Sequence, residues 1–277
     1  MTRALLLVLG AAAAGYLAIL VWLARHEDQL VFQPERGPVP VPALADAAAI
    51  QPVQFPSEDG TPLTAWVLPP RPADVPWPWV LVLHGNAGNL ATPGRPEHDQ
   101  QLQRLGLGVL ALDYRGYGLS GGVPSEAGLY ADATAAYSYL RDTLQVPPAR
   151  ILIYGHSLGS GVAVELATRV AAAGLIIEGA FTSVPDRAAE VYPWLPVRWI
   201  GHNRFPSLAR IGSVRMPVLI IHGRDDQTIP IAHGRRLFQA AREPRTFLEV
   251  AGGHDDAFEA GAQAYEAGIL QFLAGLP

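Results

Sequence analysis

A serine flanked by glycines two residues away on either side, Gly155-His156-Ser157-Leu158-Gly159, follows the apolar run Ile151 to Tyr154 and precedes an apolar-periodic stretch through Leu158, Val162, Leu166 and Val170. A strand, a sharp turn and a helix in this order push a hydroxyl out of the chain, and the glycines permit the strained turn and close packing. The serine needs a base to take its proton and an acid to hold that base in one tautomer. Downstream, His222-Gly223-Arg224-Asp225-Asp226 and Gly252-Gly253-His254 each follow an apolar run, giving the order serine, acid, histidine. The expected catalytic residues are Ser157, Asp226 and His254, with Asp225 as the alternative acid. Asp255 and Asp256 suit the start of the last helix, where carboxylates favour the helix dipole.

An acyl-transfer site also needs donors for a developing oxyanion, one from the residue after the nucleophile and one from the loop after an earlier strand. These are assigned to the backbone N–H groups of Leu158 and Asn86, in the loop His84-Gly85-Asn86-Ala87-Gly88-Asn89, with Gly85 as the alternative to Asn86.

Other chemistries are excluded by composition. The chain has no cysteine, and all 20 of its basic residues are arginine. Thiol nucleophiles, disulfides, Cys-ligated metals, a P-loop lysine and Schiff-base chemistry are therefore ruled out. No H-E-x-x-H or calcium-loop spacing marks a metal site, so no metal is expected. Gly116-Tyr117-Gly118-Leu119-Ser120-Gly121 fits the glycine pattern of a dinucleotide site, but Gly122-Val123-Pro124 intervenes before any helix, and no cofactor is expected. A net charge of −5 offers no general attraction to nucleic acid.

The elements that must carry these residues are short, continuous apolar runs: 80–83, 108–112, 151–154, 175–177, 218–221 and 246–250. Runs without alternation suit strands covered on both faces. With helical stretches at 126–144 and 158–172 between them, they predict an α/β fold with a mostly parallel, doubly wound sheet, preceded by a strand pair around Asp59-Gly60. Four histidines, His84, His156, His222 and His254, stand where such strands end, the edge at which open sheets bind ligands.

Residues 4–24 carry no charged side chain and, as a helix, would cross a hydrocarbon core of roughly 30 Å. The expected organisation is a membrane anchor over 1–28, a Pro- and Ala-rich stem over 29–50 and a catalytic domain over 51–277. A cleaved signal peptide is the competing reading, disfavoured because the apolar run continues well past the small residues 11–14. Arg3 and the amino terminus lean toward a cytoplasmic N-terminus, with the domain on the non-cytoplasmic side.

These motifs, together with Gln29-Leu30-Val31-Phe32-Gln33-Pro34 and Asp113-Tyr114-Arg115-Gly116-Tyr117-Gly118-Leu119-Ser120, resemble the α/β-hydrolase superfamily and, within it, the membrane-anchored Bem46-like serine hydrolases. The resemblance implies a helical cap over about 182–215. It places the nucleophile on Ser157, the acid on Asp226 and the base on His254, and makes 113–120 a structural loop. It also implies a small-molecule or acyl-chain substrate, as an ester or thioester. An amidase or peptidase with the same triad and a silent, membrane-tethered binding module are the rival readings. Relatives that use an aspartate nucleophile, the dehalogenases and epoxide hydrolases, are disfavoured by the serine at 157.

Overall fold

The computed structural model describes residues 2–41, 50–71 and 78–276. Its strands are β1 (Gln33–Pro34), β2 (Gln51–Pro56), β3 (Pro62–Leu68), β4 (Trp79–Leu83), β5 (Ala87–Gly88), β6 (Gly108–Asp113), β7 (Ile151–His156), β8 (Gly174–Glu178), β9 (Val218–Gly223) and β10 (Arg245–Val250). The helices are α1 (Thr2–Val31), α2 (Arg95–Arg104), α3 (Glu126–Ser138), α4 (Leu158–Ala167), α5 (Val184–Val191), α6 (Val197–Ile200), α7 (Ser207–Ile211), α8 (Ala232–Ala240), α9 (Ala257–Ala260) and α10 (Ala262–Ala274).

Eight strands form one sheet in the order β10-β9-β8-β7-β4-β6-β3-β2. The six from β10 to β6 run parallel, whereas β3 is antiparallel to both β6 and β2. The continuous apolar runs are explained by two buried faces. Leu81, Leu83, Ile153 and Ile220 point to the side of Val162 and Leu166 on α4. Val80, Val82, Leu152, Leu219 and Ile221 point to the side of Tyr265 and Ile269 on α10. Truncating such a fully enclosed side chain to alanine costs about 2–5 kcal/mol, so the sheet is a stiff platform.

Two helices differ from expectation. The stretch 126–144 is helical as α3 only to Ser138 and continues as a wider turn over 139–143, closed by Leu144 N–H donating to the Tyr139 carbonyl five residues back. The helix after Ser157 ends at Ala167 rather than near 172, because Thr168 turns its hydroxyl onto the Glu165 carbonyl.

The segment 29–50 does not hang free where it is described. Residues 29–31 complete α1, Phe32 is buried in the core, and β1 pairs in parallel with β5. Residues 42–49, including the Ala-rich patch of the expected stem, lie outside the described residues. The cause of the docking is the apolar Val31-Phe32 pair, which finds the main core before the proline-rich stretch begins.

The loop 113–121 is held by a buried charge cluster. Arg115 donates to both carboxylate oxygens of fully buried Asp132 and reaches Asp59 at 2.9 Å. Ser120 Oγ accepts from Thr64 N–H and donates to the Asp113 carbonyl. The glycine pattern thus closes back onto β3, and the next helix starts only at Glu126.

Candidate active site

Ser157 sits between β7 and α4 at φ 51° and ψ −120°, one of three non-glycine residues with positive φ among those described. Such a backbone costs on the order of 1–3 kcal/mol and persists only where the surroundings enforce it. They do so here through the two flanking glycines. A Cβ on Gly159 would lie 2.0 Å from the Leu83 carbonyl oxygen, and one on Gly155 would lie 2.3 Å from the Gly159 carbonyl oxygen. Close approach of α4 to β4 therefore requires glycine at 159, and its approach to β7 requires glycine at 155.

The turn aims the hydroxyl at the loop after β10. Ser157 Oγ lies 2.8 Å from His254 Nε2, and His254 Nδ1 lies 2.7 Å from Asp226 Oδ2. Asp226 is buried, and its Oδ1 accepts from the Ile229 N–H at 2.7 Å. Burial alone would raise its pKa, but hydrogen bonding from His222 and His254, the charge of His254 and the Ile229 N–H outweigh it and hold the carboxyl well below its usual range. Asp226 therefore stays ionised and fixes His254 with its proton on Nδ1, leaving Nε2 to accept from the serine. Asp225 is exposed and instead braces the turn, its N–H donating to the Gly252 carbonyl. Of the adjacent aspartates, the fold brings Asp226 to His254. Asp256 stands just before the short helix α9, but its Oδ1 turns back to accept from Gly253 N–H rather than capping the helix, and the last helix starts only at Ala262.

The four strand-end histidines divide by role. His254 meets the serine. His222 Nε2 donates to the Ile229 carbonyl and stands 3.5 Å from Asp226 Oδ2. His156 Nε2 donates to the His254 backbone carbonyl at 2.8 Å. Burial and the nearby charge of His254 lower the pKa of His156, favouring its neutral form. His84 is buried beneath the loop, its Nδ1 donating to the Gly85 carbonyl at 2.7 Å. His156, His254 and Asp255 have ligand atoms close enough for a metal ion, but a metal on His254 would compete with its contacts to Ser157 and Asp226.

Leu158 N–H lies in the first turn of α4, where helix geometry leaves it without an intrahelical acceptor. Across from it, the loop after β4 is fastened from three sides. The Asn86 carbonyl accepts from Gln33 N–H and from the Tyr117 hydroxyl at 2.6 Å, and its side-chain amide donates to the Val31 carbonyl. Arg95 at the start of α2 donates to the carbonyls of Asn89 and Ala87 at 2.7 and 2.6 Å and reaches Gly85 at 3.5 Å. Sequence reasoning did not single out Arg95, and it placed Tyr117 in a structural loop and His156 at a strand end without giving either a partner. An arginine opening a helix and a tyrosine in a glycine-rich loop carry no local signal of what they will hold.

Ser157 is shared by two cavities. One, of about 390 Å³, has a mixed lining in which Arg95, Asp99, His98, His156 and Glu178 stand beside Val82, Leu90 and Phe258. The other, of about 810 Å³, is apolar, lying between α1 and the α5–α6 region, with Leu158 beside Ser157 at its inner end.

The chain matches the family described as "Serine aminopeptidase, S33" over residues 77–210. It is 41% identical over 239 residues to the uncharacterized protein Rv2307c of Mycobacterium tuberculosis, covering 86% of this chain and 84% of that one. It is 31% identical to the alpha/beta hydrolase domain-containing protein WAV2 of Arabidopsis thaliana, covering 91% and 88%. Among solved structures, the Pyrococcus furiosus esterase Pf2001 superposes with a TM-score of 0.71 at 19% identity, covering 88% of this chain and 99% of that one.

Proposed function

The chain belongs to the α/β-hydrolase superfamily, and we propose that within it the protein is a serine hydrolase of carboxylic esters or thioesters. The observation that carries this reading is the unbroken run of contacts Ser157–His254–Asp226 on a strained turn open to two cavities. His254 takes the Ser157 proton as Oγ attacks the acyl carbonyl. The backbone N–H groups of Asn86 and Leu158 receive the oxyanion of the tetrahedral intermediate, and His254 returns the proton to the leaving alcohol or thiol. Water, deprotonated by the same imidazole, then attacks the acyl-serine and releases the acid.

In this reading α1 is retained as a membrane anchor. It is long and apolar enough to cross a bilayer. Its last turns are tied to the domain: Glu27 accepts from the N–H groups of His202 and Asn203, and Asp28 from the His202 ring and the Asn203 amide. A segment destined for removal has no need of these bonds.

Hydrolysis of nitrophenyl esters by the full chain and by Ser157→Ala tests the proposal. The expected loss in kcat is about 10⁴-fold or more. Turnover unchanged by the substitution would overturn the reading, and turnover confined to matched amides would move it to an amidase.

A further inference from the structure

The larger cavity has a wall that catalytic domains do not ordinarily supply for themselves. Ile19, Leu23, Glu27 and Leu30, spaced four, four and three residues apart, form one stripe of α1, and that stripe lines the cavity from one side. The opposite wall comes from Phe181, Val184, Ala188, Val191 and Leu195. From Ile19 to Val31 the helix rises about 18 Å at 1.5 Å per residue, which suits a long acyl chain and greatly exceeds the needs of an acetyl group. Leu158 and Ser157 stand at the inner end. At the outer end the lining includes Trp22, Tyr192 and Trp194, all exposed, so the cavity reaches the surface between α1 and the cap.

A second set of residues says what lies outside that mouth. The Tyr16 hydroxyl, well inside the apolar stretch 4–24, donates to the Trp194 carbonyl at 2.9 Å. The cap edge is therefore level with the middle of a helix built for hydrocarbon. That edge carries Val191, Tyr192, Trp194 and Trp199 exposed to solvent, Trp199 at 87%. The exposed rings beside a spanning helix offer large apolar surfaces to lipid. A bilayer that takes up residues 4–24 also takes up this edge.

Building on the hydrolase reading, we infer that α1 is part of the active site as well as its tether. The α1–cap cavity takes the acyl chain of a membrane-resident ester directly from the bilayer. The chain passes between Trp22 and Trp194, lies along the Ile19–Leu30 stripe and brings its carbonyl to Ser157. The leaving group then occupies the smaller, more polar cavity on the other side of the serine, and hydrolysis by solvent water leaves the fatty acid against α1, facing the lipid it came from. The contrast between the cavities sets this orientation: the smaller one places Arg95, Asp99 and Glu178 among its apolar side chains, whereas the larger one is walled mostly by leucine, valine, isoleucine and alanine and is the more favourable place for a hydrocarbon chain.

The test uses the full chain in phosphatidylcholine vesicles and compares kcat/KM for a palmitoyl ester carried in the vesicle with that for water-soluble nitrophenyl butyrate. Leu23→Trp fills the stripe, and Trp194→Asp with Trp199→Asp charges the cap edge. In both variants the palmitoyl-to-butyryl ratio is expected to fall at least about tenfold, from lost chain binding worth about 1.4 kcal/mol per factor of ten. A ratio that does not move, whether both rates hold or both drop together, overturns the inference.

A second measurement does not depend on catalysis. In Ser157→Ala, a diazirine-bearing palmitate in the same vesicles should crosslink to residues 19–31 and 184–200. Crosslinks lying elsewhere on the chain, as for a peptide-binding groove or a contact with a second copy, overturn it. Failure of the hydrolase reading itself would appear separately, as butyrate turnover that survives Ser157→Ala.

Discussion

On one side of Ser157 charged and hydrogen-bonded groups stand among the apolar walls; on the other the walls are mostly hydrocarbon, and the two sides are held in place by different means. The polar side is fixed by the stiff α/β platform. Tyr154 and Tyr265 both donate to buried Glu178, His98 Nε2 meets the Tyr265 hydroxyl, and Arg95 is committed to three loop carbonyls. The apolar side is assembled from a helix before the sheet and from short helices inserted between β8 and β9, joined by a few bonds at Glu27, Asp28 and Tyr16. One wall is thus cross-braced by many buried hydrogen bonds, which suits the oxyanion role proposed for its loop. The other is held by fewer bonds, which suits the long flexible guest proposed for it.

The comparison can be broken most severely at the point both sides share. Asp226→Asn leaves the shape nearly unchanged but lets His254 adopt the wrong tautomer, and kcat for every acyl length should fall by about 10³–10⁴-fold. The same residue gives an acid limb to stability. Its folded pKa is depressed, so its contribution is present above the unfolded value of about 4 and is lost as pH falls through the folded one. Chemical denaturation of wild type and Asp226→Asn from pH 6 to about pH 2 should show the wild type losing this increment and the variant lacking it.

Next in size is Arg95→Ala, on the polar side. Freed carbonyls at Gly85, Ala87 and Asn89 let the loop shift, and a displacement of about 1 Å costs about 100-fold in rate, equally for butyryl and palmitoyl esters. An effect confined to long chains would show that the two sides are not separable in this way. On the apolar side, Glu27→Ala removes the acceptor for His202 and Asn203 and should weaken the docking of α1 by about 1.5–3 kcal/mol. Hydrogen exchange at those two amides should accelerate while exchange in β7 stays slow.

A smaller effect tests the charge held on the polar side. Burial, opposed by Arg95 and assisted by Glu97, raises the Asp99 pKa to about 7. The folded state therefore holds this proton more tightly than the unfolded chain, and stability declines as pH rises from about 4 to about 7. Asp99→Asn should raise Tm by a few degrees at pH 8 and little at pH 4. Smallest of all, Asp225→Asn should alter kcat and stability within about 0.5 kcal/mol, because that exposed side chain has no part in positioning His254.

Much of the polar side was legible in the sequence. Strands covered on both faces have to be apolar without interruption, and that requirement marks out 80–83, 151–154 and 218–221 directly. The elbow is legible because its steric demands leave no choice but glycine at 155 and 159. The choice between Asp225 and Asp226 was not, since it depends on how the turn after β9 rotates two neighbouring side chains. The apolar side was legible only in part. Hydropathy marks α1 as able to enter a membrane and is silent about one of its faces meeting a cap. The segment after it reads as a stem because prolines dominate 34–42, whereas a single buried phenylalanine, Phe32, decides that its first residues dock.

The pairing of β1 with β5 ties these two sides together mechanically. Gln33 N–H and the Val31 carbonyl both bond to Asn86, and Glu35 N–H bonds to the Gly88 carbonyl. Force on the apolar helix therefore has a load path one hydrogen bond long to the loop facing Ser157. Bilayer thickness, tilt or tension acting on α1 would be felt at that loop.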